Sequence, residues 1–109
     1  MTEIVLTEDD VTLVPWDAAE VLKSPEECAG YLALAMESDA GDGQATLDAL
    51  EDIVRVDAMS RRAKAAGLHR STLYRALQPG AKPSFATVLR IIRALGLDLT
   101  PIPRDAPEA

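Results

Sequence analysis

The chain is poor in the residues that most often carry chemistry or cross-links. Among 109 residues it has one cysteine (Cys28), one histidine (His69), one tryptophan, one phenylalanine and two tyrosines. A single cysteine excludes an internal disulfide and a cysteine-based zinc site, and it suits a reducing cytoplasm. No apolar run approaches the ~20 residues that span a bilayer, and the opening residues do not read as a signal peptide. The expectation is a cytoplasmic protein with no membrane partner. One His, one Cys, no ligand cluster and no glycine-rich phosphate loop leave little for catalysis. No catalytic residue, metal or cofactor is expected. Aromatics make up 4% of a composition that is 48% apolar, so the core must be aliphatic, which favours a helical bundle over a sandwich.

The net charge of −7 argues on its face against a nucleic-acid partner, but the average hides a split. Fifteen of the eighteen acids precede residue 58, against only Lys23 and Arg55, whereas nine of the eleven bases follow it, against three acids. Such asymmetry suggests a polyanion for the basic half and a cationic protein for the acidic half. Simple solubility is the plainer reading of the acids.

Taken in order, Ile4–Leu6 and Val11–Val14 are β-branched runs around a polar turn, a hairpin that would be marginal alone. Asp17-Ala18-Ala19-Glu20 has the spacing of a capping box for a short helix ending near Lys23. Ser24-Pro25-Glu26-Glu27 is a better start: Ser at the cap, Pro at the first helical position and acids in the first turn agree. That helix should reach about Glu37, with Cys28, Tyr31, Leu32 and Ala35 on one face, so Cys28 reads as a small buried group rather than a nucleophile. The acids of the loop Ser38–Gly43 lack the spacing of a calcium loop and read as turn and cap. Gln44 to Asp57 forms the next helix, with Leu47, Leu50, Ile53 and Val54 as its stripe. Ser60 is expected to cap a helix that Gly67 stops, and Leu68 to plug the turn. A helix from His69 or Arg70 to Leu77 follows. After a breaker-rich loop, Ser84 caps a last helix striped by Phe85, Val88, Leu89, Ile92 and Leu95 and stopped by Gly96. Leu97–Thr100 alternates like a short strand before Pro101 and Pro103.

Two short helices hinged at Gly67-Leu68 outline a helix-turn-helix, whose second helix enters the DNA major groove. If Leu73 and Leu77 face inward, Arg70, Ser71 and Arg75 face outward. Arginine forks match the O6 and N7 acceptors of guanine, so these three are the base-readout candidates. Ser60, Arg61, Lys64, His69, Thr72, Lys82, Ser84 and Arg90 are the candidates for phosphate contacts.

The run Gly67–Leu77, followed by Pro83–Leu89 and Ala94–Leu99, resembles the probable addiction module antidote antitoxins, which are similar to HigA-like, xenobiotic-response-type (XRE) helix-turn-helix antitoxins. The leader Trp16–Glu27 with Tyr31-Leu32 matches the same family, so the resemblance covers roughly Asp17 to Leu99. It implies an all-α, five-helix, lambda-repressor-like bundle, here with short strand-like extensions at both ends. The divisions expected are a strand-like or mobile extension (1–16), an acidic helical leader (17–43), the DNA-binding domain (44–100) and a tail (101–109). The resemblance also implies an antitoxin that neutralises a small basic toxin of the RelE/ParE superfamily and represses its operon by binding operator DNA, as a homodimer within a heterotetramer. The similar phage repressors read bases from positions that map to Arg70, Ser71 and Arg75. Three departures stand out: Arg62 where the family packs an apolar residue, Ala58 in place of a frequent Gly, and residues 1–15 beyond the usual start. A basic toxin would be steered to the acidic half, which makes Ile4, Leu6, Val11, Leu13, Trp16, Glu20, Glu26 and Glu27 the toxin-binding candidates. Two alternatives stay open: a helix-turn-helix regulator without a toxin, and a protein-binding module that has lost DNA binding.

Overall fold

The computed structural model describes Leu22 and residues 24–104 as five α-helices, with no strand among the described residues. They are α1 (Pro25–Ser38), α2 (Gln44–Val54), α3 (Asp57–Ala65), α4 (Arg70–Leu77) and α5 (Phe85–Ala94). The core is aliphatic: Leu50, Ile53, Met59, Leu73, Ile92 and Leu95 are all but inaccessible to solvent. Cys28 and Leu32 of α1 join this same core. α2 is the central element, packing on α1, α3 and α4, while α5 closes the bundle against α3. None of the described helices is long and apolar enough to cross a membrane.

Local chemistry sets most helix ends. At α1 the Ser24 hydroxyl accepts the Glu27 N–H at 3.1 Å, and the Ser24 N–H donates to Glu27 Oε1 at 3.1 Å, a complete capping box. Tyr31 ties α1 to α2 by donating its hydroxyl to Asp52 at 2.5 Å. Burial and then that bond push the Tyr31 phenol up to about 12. Cys28 is fully buried, and burial pushes its thiol upward, with Glu27 adding to the effect and Arg62 opposing it.

α2 is capped from a distance. Its own N-cap, Gly43, has no side chain, so Asp39 supplies the carboxylate. One Asp39 oxygen accepts the N–H groups of Gly41 (2.8 Å) and Gly43 (3.0 Å). The other accepts the Thr46 N–H (3.0 Å) and hydroxyl (2.8 Å). These donors hold the Asp39 carboxyl well below its ordinary range.

α3 and α5 end alike. Gly67 (φ 97°) and Gly96 (φ 82°) take the left-handed conformation. In each case the glycine N–H and the following N–H turn back to the helix: Gly67 to Lys64 O and Leu68 to Ala63 O, Gly96 to Arg93 O and Leu97 to Ile92 O. This is the Schellman arrangement, and Leu68 and Leu97 are buried beyond it.

The structure corrects several expectations. Helix α2 stops at Val54 rather than Asp57, and α3 begins at Asp57, three residues before Ser60. Val54 and Val56 are both buried, and the bend at Arg55-Val56 allows it. Ser60 therefore caps nothing; it lies inside α3, 4% exposed. Phe85 is 67% exposed at the first position of α5, whereas Ile91, absent from the expected stripe, is buried. Leu97–Thr100 forms no strand; Leu97 is buried and Leu99 half-buried against the core. Arg62 is not packed as a core residue: it is exposed, and its guanidinium lies where a Cβ on Gly96 would sit. The expected N-terminal hairpin lies outside the described residues. So does the short helix after Asp17, apart from Leu22, which is buried.

Asp39→Ala should lower the thermal midpoint at neutral pH. Because folding depresses the Asp39 pKa, its contribution is complete above the ordinary value of 3.8 and is lost as pH falls through the lower folded value. Thermal melts should show the wild-type advantage narrowing as pH drops below about 4; an advantage that widens there would contradict the assignment.

Candidate nucleic-acid interface

Helix α4 has eight residues, too few to persist alone in water. Packing on α2 therefore decides which of its faces looks outward. Leu73 is fully buried, Leu77 nearly so and Ala76 half-buried, one turn apart on the inner face. Burying a leucine contributes roughly 1.5–3 kcal/mol, so two of them offset part of the cost of ordering the segment. Arg70, Ser71, Thr72, Tyr74 and Arg75 are left exposed. The turn from α3 to α4 is set by Gly67 and by Leu68, which is buried as expected.

His69 holds the N-cap position of α4 in extended conformation, without a side-chain capping bond. Arg70 does not extend outward with Ser71 and Arg75. Its Nη2 donates to Ser60 Oγ at 2.7 Å and lies 3.5 Å from Asp57 Oδ1. Ser60 Oγ in turn donates to the Asp57 carbonyl at 3.1 Å. The second Asp57 oxygen is 3.1 Å from Arg61 Nη2, one helical turn on. Asp57 thus bridges two arginines at the seam between α3 and α4.

Beside that bridge, Ser60, Arg61, Lys64, His69 and Arg70 line an open cleft of about 350 Å³. Five of the expected DNA-contacting residues are thereby brought together. Thr72, Lys82, Ser84 and Arg90 do not line it. Thr72, Lys82 and Arg90 are exposed, and Ser84 caps α5 by accepting the Thr87 N–H at 3.1 Å. Of the toxin-binding candidates, Ile4, Leu6, Val11, Leu13, Trp16 and Glu20 lie outside the described residues. Glu26 and Glu27 are exposed on the first turn of α1, Glu27 within the capping box.

Asp57 is the residue that sequence reasoning missed. Its i,i+4 spacing to Arg61 was a readable sign of one ion pair. Its approach to Arg70 depends on how α3 and α4 pack.

Comparison with known proteins adds to this geometry. A family model described as "Probable addiction module antidote protein" matches residues 12–103. A Haemophilus influenzae protein, described as an uncharacterized protein, is 41% identical over 85 residues, which cover 78% of this chain and 86% of that protein. No solved structure matches the chain significantly.

The two faces of α4 should separate in mutagenesis. Leu73→Ala should cost about 2–5 kcal/mol in urea unfolding, while Arg75→Ala should stay within about 0.5 kcal/mol of wild type. Comparable losses for the two would mean that α4 is rotated from this orientation.

Proposed function

Because the chain belongs to the probable addiction module antidote family, we propose that it is the antitoxin of a type II toxin–antitoxin pair. It binds and neutralises a small basic toxin of the RelE/ParE superfamily in the cytoplasm. As a homodimer within a heterotetramer, it also represses their shared operon. The family itself implies a toxin partner of some kind; the toxin class, the HigA-like XRE subtype and the DNA binding are our reading. No catalytic residue, metal or cofactor has a part in it.

One observation carries the DNA-binding half. The Gly67 turn joins α3 to an α4 whose leucines are buried and whose polar residues are exposed, as a helix-turn-helix requires. In this reading α4 is the recognition helix, and Arg70, Ser71 and Arg75 read base edges. Ser60, Arg61, Lys64, His69, Thr72, Lys82, Ser84 and Arg90 serve as phosphate contacts. Arg70 must let go of Asp57 to take part in readout. The acidic half, with Ile4, Leu6, Val11, Leu13, Trp16, Glu20, Glu26 and Glu27, receives the toxin by charge complementarity.

A second reading, a module that binds protein only, draws on the concentration of acids before residue 58. Steep weakening of DNA binding with salt would speak against it, since phosphate neutralisation releases counterions.

Co-expression with the product of the adjacent small gene should yield a stable complex and relieve that product's toxicity. A neighbour that is harmless alone and does not co-purify would remove the antitoxin assignment. In footprinting of the upstream DNA, Arg70→Ala and Arg75→Ala should each lose about 1–3 kcal/mol of operator discrimination with the fold intact. Footprints unchanged in both variants would remove α4 as the reading helix.

A further inference from the structure

We propose that the cleft lined by Ser60, Arg61, Lys64, His69 and Arg70 is a seat for a phosphate group, and that the Asp57 carboxylate beside it occupies two of its arginines in the free protein. The two Asp57 oxygens lie 3.1 Å from Arg61 and 3.5 Å from Arg70. A carboxylate held between two guanidinium groups stands where two phosphate oxygens would be held by the same forks. Ser60, buried beneath Arg70, accepts from its Nη2 at 2.7 Å. Lys64 and His69 complete the lining and have no ion-pair partner among the described residues.

The balance favours exchange. The Asp57 side chain is 70% exposed, and those of Arg61 and Arg70 are 72% and 51% exposed, so both pairs are well solvated. Pairs of this kind contribute little. A phosphate brings more charge and more acceptor oxygens than the carboxylate, and it can also engage Lys64 and His69. Asp57 is thus an internal competitor: it keeps the arginines ordered in the absence of ligand and lowers the apparent affinity for the group that replaces it. The ligand class is a phosphomonoester or phosphodiester. Assigning a DNA backbone phosphate as its source rests on the DNA-binding reading above.

The test uses the full chain with Asp57→Asn, and with Glu37→Gln as a control that removes the same charge from an exposed site on α1. Asp57→Ser repeats the change with another uncharged side chain suited to a helix start. Inorganic phosphate is titrated while the imidazole resonances of His69, the one histidine, are followed by NMR. A labelled mixed-sequence duplex is titrated by fluorescence anisotropy. Asp57→Asn should bind both probes roughly two- to fivefold more tightly than wild type, with Glu37→Gln near wild type. If phosphate binding tightens but no duplex binds to any variant, the seat stands and the DNA-binding reading falls. If Asp57→Asn and Asp57→Ser match Glu37→Gln on both probes, the seat is overturned, and wild-type duplex binding would leave the DNA-binding reading in place.

Discussion

An eight-residue helix is stable only through what it buries, and everything functional about α4 depends on the seating of Leu73 and Leu77 against α2. That seating makes the outward face a consequence of the inward one. Leu68, buried in the turn, and Gly67, in a conformation disfavoured for residues with a Cβ, fix where α4 starts relative to α3. α2 is held in turn by the Asp39 cap at one end and by Tyr31–Asp52 along its side. The acidic segment and the basic helix pair therefore share one aliphatic core.

Charge is separated along the chain with Asp57 at the boundary. It is the last acid of the acidic half, and it pairs with Arg61 and Arg70 of the basic half. In the free protein this arrangement partly neutralises the face that a polyanion would approach. A small, acidic chain can then present a basic cleft without exposing all of that charge to unspecific partners.

Features set by neighbours in the chain were legible in the sequence. The capping box at Ser24, the Ser84 cap and the glycine stops at 67 and 96 all involve residues three to five positions apart. Helical spacing also identified Leu73 and Leu77 as the inner face of α4. What was not legible depends on packing. The bend at Arg55-Val56 contains no Gly, Pro or Ser to mark it and follows from burying Val54 and Val56 together. Phe85 has the spacing of a core residue but falls on the first position of α5, where it remains exposed. Ser60 had the composition of a cap, yet α3 had already begun at Asp57. Arg70 was assigned an outward path, while its partners Ser60 and Asp57 lie ten and thirteen residues away and meet it only through the packing of α3 on α4.

Under the proposed function, the outward side of α3 and α4 meets DNA while the acidic segment before it does not. Chemical-shift mapping of the isotope-labelled chain with a duplex from its own upstream region tests this directly. The amide shifts should concentrate between Asp57 and Arg75 and leave α1 and most of α2 unperturbed. Shifts concentrated on α1 and α2, or none under low-salt conditions, would contradict it.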